Sequence, residues 1–168
     1  MRIYLIGYMY SGKTTVGSKL ARRLDYQWLD LDQMLETTFH TTIPIFFKRY
    51  GEDAFRKIEQ KLLHSTADLD NVVISTGGGT PCFFDNMQWI NHHGISIYFD
   101  VKVETLLRRA EASKKPRPTF ASMTTEERNV FIREQLDKRL PYYLKARVIF
   151  PADNPNLSQL AEQILSNA

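Results

Sequence analysis

The feature that most constrains this chain is a loop near its start that fits the pattern G-x-x-x-x-G-K-T. The loop consists of Gly7, Tyr8, Met9, Tyr10, Ser11, Gly12, Lys13 and Thr14. A short apolar run of β type, Arg2–Ile6, precedes it, and the stretch from Thr15 to Leu24 has a helical pattern. In this setting backbone N–H groups turn inward to make an anion nest, and the dipole of the following helix adds positive charge there. The motif therefore predicts a phosphate-binding P-loop.

The residues of this loop have distinct expected roles in binding ATP and Mg²⁺. We expect Lys13 to reach the β- and γ-phosphates and the Thr14 hydroxyl to bind the metal ion, with the whole stretch from Gly7 to Thr15 around the phosphates. Tyr10 is unusual, because it places a large side chain in a loop that must lie close to phosphate. We expect its ring to point outward, over the nucleotide or into solvent.

Length and composition limit the remaining possibilities. The 168 residues, 43% of them hydrophobic, are enough for one domain with a core, and we expect a single domain over 1–168. The 22 basic and 19 acidic residues give a mild excess of +3, which suits small phosphate-bearing ligands at least as well as nucleic acid. Cys82 is the only cysteine, which excludes an intramolecular disulfide bond and a cysteine-based metal site. With no signal sequence and no apolar run of about 20 residues, we expect a cytoplasmic protein without a membrane partner.

Short β-rich segments alternate with helical ones, which predicts parallel βαβ units and an α/β fold. The expected strands are Arg2–Ile6, Gln27–Leu29, Val72–Ser75, Ile95–Phe99 and Arg147–Phe150. Thr124 and Glu127 have the spacing of a capping box at a helix start. Asn156 precedes the last expected helix, whose apolar residues should share one face: Leu157, Leu160, Ala161, Ile164 and Leu165.

A polar stretch from Ala112 to Thr125 is the best candidate for a mobile lid, which we place at about 112–124. It carries the basic residues Lys114, Lys115 and Arg117. The alternative is an ordinary solvated loop, because lysine and proline are common in surface connections.

Two acidic residues, Asp30 and Asp32, follow the second expected strand. Strand alternation would place both carboxylates on one side and Leu29 and Leu31 on the other. At the carboxyl end of a parallel strand both would face the ligand crevice, where one could support Mg²⁺ and the other accept a hydrogen bond from a substrate hydroxyl. The alternative is a strand exit at which Asp32 caps the next helix, and the two roles can coexist.

Two arginines are less distinctive when each is taken alone. A helix expected to begin near Tyr50 lets Arg56 and Glu59 face each other, which is more typical of a surface salt bridge than of a ligand site. Arg139 lies near the end of a helix that we expect Pro141 to halt, and the helix dipole favours a cation there without any function.

Three consecutive glycines, Gly77, Gly78 and Gly79, follow the third expected strand. They remove side chains from a segment whose backbone a ligand is then free to approach. A flexible turn before Pro81 is the alternative.

Together these segments resemble the shikimate kinase family in their order and approximate spacing, from Arg2 to about Ala146. The resemblance is carried by GYMYSGKT, LDLD, GEDAFRKIE, STGGG, KKPRP and RLPYYLKA. It implies a three-layer P-loop NTPase fold, with a parallel five-stranded sheet flanked by helices and a mobile lid. It also implies a monomer that transfers the ATP γ-phosphate to the 3-hydroxyl of shikimate, with Mg²⁺, in the chorismate pathway to the aromatic amino acids.

The resemblance implies a role for each matching position. Lys13 and Thr14 match ATP-phosphate and Mg²⁺ positions, and Asp30 matches a carboxylate that assists the metal. Arg117 matches a lid arginine that closes over ATP and the transferring phosphoryl group. Asp32 would bind the ring hydroxyls of shikimate and lie near the reacting one, and Arg56 and Arg139 would bind its carboxylate. The positions implied for shikimate, with a substrate-binding segment at about 33–61, are Asp32, Arg56, Gly77, Gly78, Gly79 and Arg139.

The chain departs from the family's pattern at two places. Tyr10 replaces a further glycine, and Pro118-Thr119-Phe120 follows the lid arginine where leucines are more usual.

One alternative function is another small-molecule P-loop kinase, acting on gluconate or a nucleoside monophosphate, but the set Asp32, Arg56 and Arg139 argues against it. The other is an inactive nucleotide-binding regulatory domain, although all the chemical groups of a kinase remain.

Overall fold

The computed structural model describes residues 1–113 and 118–166, and its centre is a five-stranded sheet of order β2-β3-β1-β4-β5. The strands are β1 (Arg2–Ile6), β2 (Gln27–Asp30), β3 (Val72–Ser75), β4 (Ile95–Asp100) and β5 (Val148–Pro151). Every neighbouring pair is parallel, as expected for strands joined by crossover connections. The five expected strands are confirmed, with boundaries that differ by at most one residue.

Helices cover the sheet on both sides. They are α1 (Lys13–Leu24), α2 (Leu31–Phe39), α3 (Ile43–Ser65), α4 (Asn86–His93), α5 (Val103–Glu111), α6 (Thr125–Tyr143) and α7 (Leu157–Ser166). Short 3₁₀ turns lie at Thr66–Asp68, Thr80–Cys82 and Pro118–Phe120. Over the described residues, none of the helices combines the length and apolarity needed to cross a membrane.

The central strand β1 shows why the fold has three layers. Its residues alternate between two buried clusters, so that Ile3 and Leu5 pack with residues of α1, α5 and α7. Tyr4 and Ile6 point to the opposite cluster, which includes residues of α3, α4 and α6. A parallel sheet whose two faces are both apolar requires helices on each face. This architecture confirms the predicted α/β fold of the P-loop NTPase type.

Helix α6 begins as the sequence predicts but ends later. The capping box is present, since Thr124 Oγ1 accepts from the Glu127 N–H over 3.2 Å and Glu127 Oε2 accepts from the Thr124 N–H over 2.7 Å. The expectation that Pro141 halts the helix is wrong, because α6 continues through Pro141 to Tyr143. The ring of Tyr143 is fully buried and stacks on Tyr98 at 5.1 Å, so packing holds the last turn in place.

Helix α3 is longer than the helix expected to begin near Tyr50, which corresponds to its second arm. It begins at Ile43, and the residue after Tyr50, Gly51, has non-helical angles of φ 79° and ψ 173°. Such a left-handed conformation is accessible to glycine at little cost. The chain therefore kinks at Gly51, and the two arms of α3 enclose a small separate core around Phe46 and Phe55.

The last helix, α7, is capped by Asn156, whose Oδ1 accepts from the Ser158 N–H over 3.0 Å. Its residues Ala161 and Ile164 are buried, as expected. Leu165 is 64% exposed, so its expected place on the buried face is wrong. A helical step of 100° per residue carries Leu165 past the edge of the apolar stripe that Ala161 marks.

Candidate active site

The P-loop leaves the carboxyl end of the central strand β1 and leads into α1, whose N-cap residue is Gly12. Three of its residues have left-handed φ angles, Gly7 at 143°, Tyr10 at 64° and Gly12 at 96°. Lys13 is buried, and its Nζ donates to the carbonyl oxygens of Gly7 over 2.7 Å and of Tyr8 over 2.8 Å. The ammonium group therefore lies against the inner side of the loop, at the start of α1.

The Tyr10 ring leaves the interior of the loop, as expected, but it does not simply face solvent. It stacks on Phe120 with ring centroids 5.9 Å apart and planes inclined by 26°. It is partly buried against the main hydrophobic cluster. Tyr10 thus joins the P-loop to the 3₁₀ turn Pro118–Phe120.

Thr14 and Asp30 are in direct contact, since Thr14 Oγ1 donates to Asp30 Oδ2 over 2.9 Å. Asp30 is also the N-cap of α2, because its Oδ1 accepts from the N–H groups of Asp32 over 3.0 Å and Gln33 over 3.2 Å. Asp30 rather than Asp32 therefore caps the helix. Asp32 lies in the first turn of α2, so the expected strand alternation is wrong, although both acids line one cavity.

The pair formed by Thr14 and Asp30 fits a magnesium ion. A hydroxyl and a carboxylate supply the hard oxygen donors that Mg²⁺ prefers. Among residues 1–113 and 118–166, no three His, Cys, Asp or Glu side chains come together as a metal-binding group. A phosphate-bound Mg²⁺ needs only a few protein ligands, because water molecules and phosphate oxygens fill most of its coordination shell.

Arg109 of α5 holds the outer side of the P-loop, and sequence reasoning missed it. Its Nη1 donates to the carbonyl oxygens of Tyr10 over 3.2 Å and Ser11 over 3.0 Å. Its Nη2 donates to those of Ala152 over 2.8 Å and Asp153 over 2.9 Å, just after β5. Burial lowers the pKa of the guanidinium, which nevertheless remains charged. The only available signal was its helical spacing from the apolar residues of α5.

The P-loop, Asp30 and Arg109 surround a cavity of about 490 Å³. Its lining consists of Met9, Tyr10, Ser11, Gly12, Lys13, Thr14, Thr15, Val16, Asp30, Asp32, Thr76, Gly78, Arg109, Ser113 and Pro155. The predicted nucleotide-binding residues from Met9 to Thr15 all belong to this lining. Gly7 and Tyr8 do not, and their carbonyl oxygens instead accept from Lys13.

Arg56 is held by two acids of α3. Its Nη1 donates to Glu59 Oε2 over 2.9 Å and its Nη2 to Glu52 Oε1 over 3.2 Å. Thr80 Oγ1 also donates to Glu59, over 2.5 Å, and the Phe83 ring centroid lies 4.0 Å from the guanidinium carbon. The expected surface salt bridge is wrong, because the Arg56 and Glu59 side chains are only 11% and 4% exposed. Packing against Phe83 and Thr80 shields this pair from water.

The glycine segment Gly77–Gly79 lies directly against the other candidate residues. An added Cβ would meet a different side chain at each position: 2.9 Å from Asp32 Oδ1 at Gly77, 3.2 Å from Arg139 Nη1 at Gly78 and 2.7 Å from Arg56 Nη1 at Gly79. The distances at Gly77 and Gly79 are shorter than real Cβ atoms show, and at Gly78 the Arg139 side chain would have to move by a few tenths of an ångström. The bare backbone is therefore what allows these side chains to converge.

A second cavity, of about 400 Å³, lies beside the first. It is lined by Met9, Asp32, Ile43, Pro44, Phe47, Phe55, Arg56, Glu59, Gly77, Gly78, Gly79, Thr119 and Arg139. Arg139 reaches it from α6, with its guanidinium carbon 5.3 Å from the Tyr8 ring centroid. Met9, Asp32 and Gly78 line both cavities, so the two spaces adjoin at these three residues.

The structure brings most of the predicted site residues together around these two cavities. Lys13, Thr14 and Asp30 line the first, whereas Arg56 and Arg139 line the second. Arg117 and the other lid residues from 114 to 116 lie outside the described residues. Glu59, which sequence reasoning treated only as a salt-bridge partner, belongs to the second cavity.

Residues 9–168 match the family model described as shikimate kinase. The chain belongs to the shikimate kinase family. A shikimate kinase of Phocaeicola vulgatus is 48% identical over 152 residues, which cover 90% of this chain and 87% of the relative. Membership confirms the resemblance seen in the sequence and the predicted function, a shikimate kinase that uses ATP with Mg²⁺.

Solved shikimate kinase structures share the fold over nearly the whole chain. The enzyme of Bacteroides thetaiotaomicron superposes with a TM-score of 0.93 at 39% identity, covering 99% of this chain and 97% of the other. The enzyme of Acinetobacter baumannii, solved in complex with shikimate, gives a TM-score of 0.85 at 33% identity, with coverages of 99% and 91%. The chain therefore shares the shikimate kinase fold over nearly its whole length.

Proposed function

We propose that the two adjoining cavities bind ATP and shikimate, and that the γ-phosphate passes between them to the 3-hydroxyl of shikimate. The products would be shikimate 3-phosphate and ADP. The observation that carries the proposal is the wall of Met9, Asp32 and Gly78 that both cavities share. Two bound substrates would meet only there, which is what direct transfer without a covalent enzyme intermediate requires.

The first cavity supplies the groups that a nucleotide triphosphate needs. Lys13 provides a buried cation, and phosphate oxygens would replace the loop carbonyls of Gly7 and Tyr8 as its acceptors. Thr14 and Asp30 would hold Mg²⁺, which when bound neutralises charge on the β- and γ-phosphates. Arg109 fixes the outer side of the loop, so that its N–H groups stay aimed at the phosphates.

The second cavity suits a small, anionic ring that carries hydroxyl groups. Arg56 and Arg139 place two guanidinium groups on its wall, where they can bind a carboxylate through charge-assisted hydrogen bonds. Asp32 offers an acceptor at the boundary with the first cavity. It would bind a ring hydroxyl and orient the attacking one toward the γ-phosphate.

Phosphoryl transfer asks the protein chiefly for positioning and charge neutralisation. We assign these tasks to Lys13, Asp32 and Arg117, the last on its match to the family's lid arginine. Closure of the segment at about 112–124 would exclude water, which otherwise competes with shikimate as the acceptor. The segment at about 33–61 contributes Arg56 and so belongs to substrate binding.

We further propose that the chain works as a cytoplasmic monomer, in one domain over 1–168. Both cavities are built by residues of a single chain, so no second copy is needed to complete the site. The proposed substrates are small phosphate-bearing or anionic molecules. Neither nucleic acid nor a membrane has a part in the reaction.

The test is ADP release by the purified protein with Mg-ATP, using shikimate, gluconate, AMP or no acceptor. We expect strong release that depends on shikimate. Release with another acceptor would keep the kinase but refute the acceptor assignment. Nucleotide binding without release in any mixture would favour a regulatory domain that has lost turnover.

A further inference from the structure

We infer that Tyr10 is a positioning residue of the P-loop, and that it acts through its ring contact with Phe120. The inference rests on the proposal that this loop binds nucleotide. The two residues are far apart in the sequence, yet their rings stack at 5.9 Å. They are also the two places at which the chain departs from the family's pattern, and these departures touch each other.

The backbone of Tyr10 gives the first reason. Its φ of 64° lies in the left-handed region, which strains the backbone of a non-glycine residue. A bulky residue persists in such a conformation only where its surroundings over-determine it. Glycine would occupy this place without strain, so the tyrosine needs a compensating contact.

Phe120 supplies that contact from the end of the predicted lid that α6 anchors. It is only 3% exposed, and its ring meets that of Phe131 of α6 edge-on at 5.8 Å. Its carbonyl oxygen accepts from Arg128 Nε over 3.2 Å and Nη2 over 2.9 Å. The Tyr10 ring therefore rests on a turn that α6 holds through both side-chain and backbone contacts.

The backbone of Tyr10 is fixed from a second direction. Arg109 Nη1 donates to its carbonyl oxygen over 3.2 Å. The guanidinium holds the peptide group while the Phe120 ring holds the side chain. Between these two contacts Tyr10 has little freedom, and the N–H groups of Ser11 and Gly12 that follow it are placed with it.

The consequence concerns nucleotide affinity. A loop already wound into its binding conformation loses less conformational entropy when phosphate binds. Tyr10→Gly would remove the ring and add backbone freedom, whereas Phe120→Leu would remove the ring on which the strained tyrosine stacks. Both changes weaken one shared contact, so their effects cannot be independent.

The experiment is a double-mutant cycle on Tyr10→Gly, Phe120→Leu and the double variant. MgADP affinity is measured by calorimetry, and KM for ATP and for shikimate are measured separately. A stacked aromatic pair is worth about 0.5–1.5 kcal/mol, so each single variant should bind MgADP roughly 2- to 13-fold more weakly. The double variant should lose no more MgADP affinity than the single variant that binds MgADP less tightly. KM for shikimate should stay unchanged in all three variants.

Two further variants separate this role from general stability. Trp89→Leu removes a stacking contact with His93 at 3.9 Å on α4, a helix that lines neither cavity, and should leave MgADP affinity unchanged. Tyr10→Phe keeps the ring and should bind MgADP within about twofold of the unchanged protein. If Phe120→Leu fails to fold, the comparison of Tyr10→Gly with Tyr10→Phe still tests whether the ring is needed for MgADP affinity.

Three outcomes would overturn the inference. The first is a double variant whose fold-loss of MgADP affinity equals the product of the two single losses. The second is single variants whose MgADP affinity is unaltered. The third is a Tyr10→Phe loss as large as that of Tyr10→Gly. If the unchanged protein bound no MgADP at all, the nucleotide site itself would be refuted, which is distinguishable from failure of the cycle alone.

Discussion

The Tyr143 hydroxyl donates a hydrogen bond to the Gly78 carbonyl oxygen over 2.5 Å. Tyr143 is fully buried at the end of α6, and burial raises the pKa of its hydroxyl, which therefore stays a donor throughout the physiological range. Gly78 lies in the wall shared by the two cavities. The last turn of α6 thus sets the orientation of a peptide group at the place where the substrates would meet.

Tyr143→Phe should therefore raise KM for shikimate, because the Gly78 peptide loses the contact that fixes it. Gly78 is half-buried, and losing a hydrogen bond typically costs about 0.5–1.5 kcal/mol, so some loss of stability is expected as well. Because Gly78 lines both cavities, steady-state kinetics at a temperature well below unfolding should measure KM for shikimate and for ATP in the same variant. The matched control is Tyr142→Phe, on the exposed side of the same turn, and equal effects in both variants would contradict the role of Tyr143.

Arg56→Ala should weaken shikimate binding by about 1.5–3 kcal/mol, the range for hydrogen bonds to a charged group. ATP affinity should be nearly unchanged, because Arg56 lines only the second cavity. Calorimetric titration with each substrate measures both values. Arg133→Ala, which breaks an exposed pair with Glu104 at 2.9 Å, is the control for loss of a surface arginine. An equal loss of ATP affinity in Arg56→Ala would refute the assignment.

Lys13→Ala should remove nearly all turnover, because no other buried cation stands against the inner side of the P-loop in the described residues. Removing one electrostatic contact to the transition state typically lowers kcat by about 10²–10³. A coupled assay of ADP release measures the loss. Lys19→Ala, an exposed lysine on the same helix, should keep its rate. A Lys13→Ala rate within a few-fold of the original would show that the P-loop assignment is wrong.

Asp30→Asn separates metal binding from helix capping. Asparagine is as good an N-cap as aspartate, so the two N–H contacts at the start of α2 should survive and stability should barely change. The loss of the negative charge should raise the Mg²⁺ concentration needed for half-maximal activity. Asp30→Ala should show the same shift together with a stability loss of about 1 kcal/mol. An unaltered Mg²⁺ dependence in both variants would exclude Asp30 from the metal site.

The raised pKa of the Cys82 thiol predicts that the free energy of unfolding falls at alkaline pH. Burial raises the pKa of its thiol from 9.0 to about 11. Above pH 9 the unfolded chain releases this proton while the folded chain retains it, so stability should fall as pH rises from about 9 to 11. Urea unfolding at several pH values measures this, with Cys82→Ala as the comparison. The variant should lose less stability than the unchanged protein over that window, and identical slopes would contradict the prediction.

The parts of the fold that sequence reasoning predicted well are those set by local signals. The P-loop, the five strands and the capping box of Thr124 each depend on a few consecutive residues, and all are present in the structure. Parallel pairing followed from the alternation of strands and helices. The family resemblance then joined segments that are each common when taken singly.

The parts that could not be predicted depend on contacts between distant segments. Nothing near Arg56 in the sequence reveals that Phe83 and Thr80 bury its pair with Glu59. Asp30 and Asp32 could not be told apart, because the exact residue at which β2 gives way to α2 decides which one caps the helix. Phe120 gave no sign that it would become the partner of the tyrosine in the P-loop.

The hydrogen bonds of Arg109 determine when the nucleotide pocket can form during synthesis of the chain. This guanidinium joins the carbonyls of Tyr10 and Ser11, near the start of the chain, to those of Ala152 and Asp153, just after the last strand. A nascent chain that has not yet reached Ala152 lacks half of the acceptors that hold Arg109 over the P-loop. The nucleotide pocket is therefore completed only when β5 has joined the sheet, and ATP will favour the finished fold over any shorter folding intermediate.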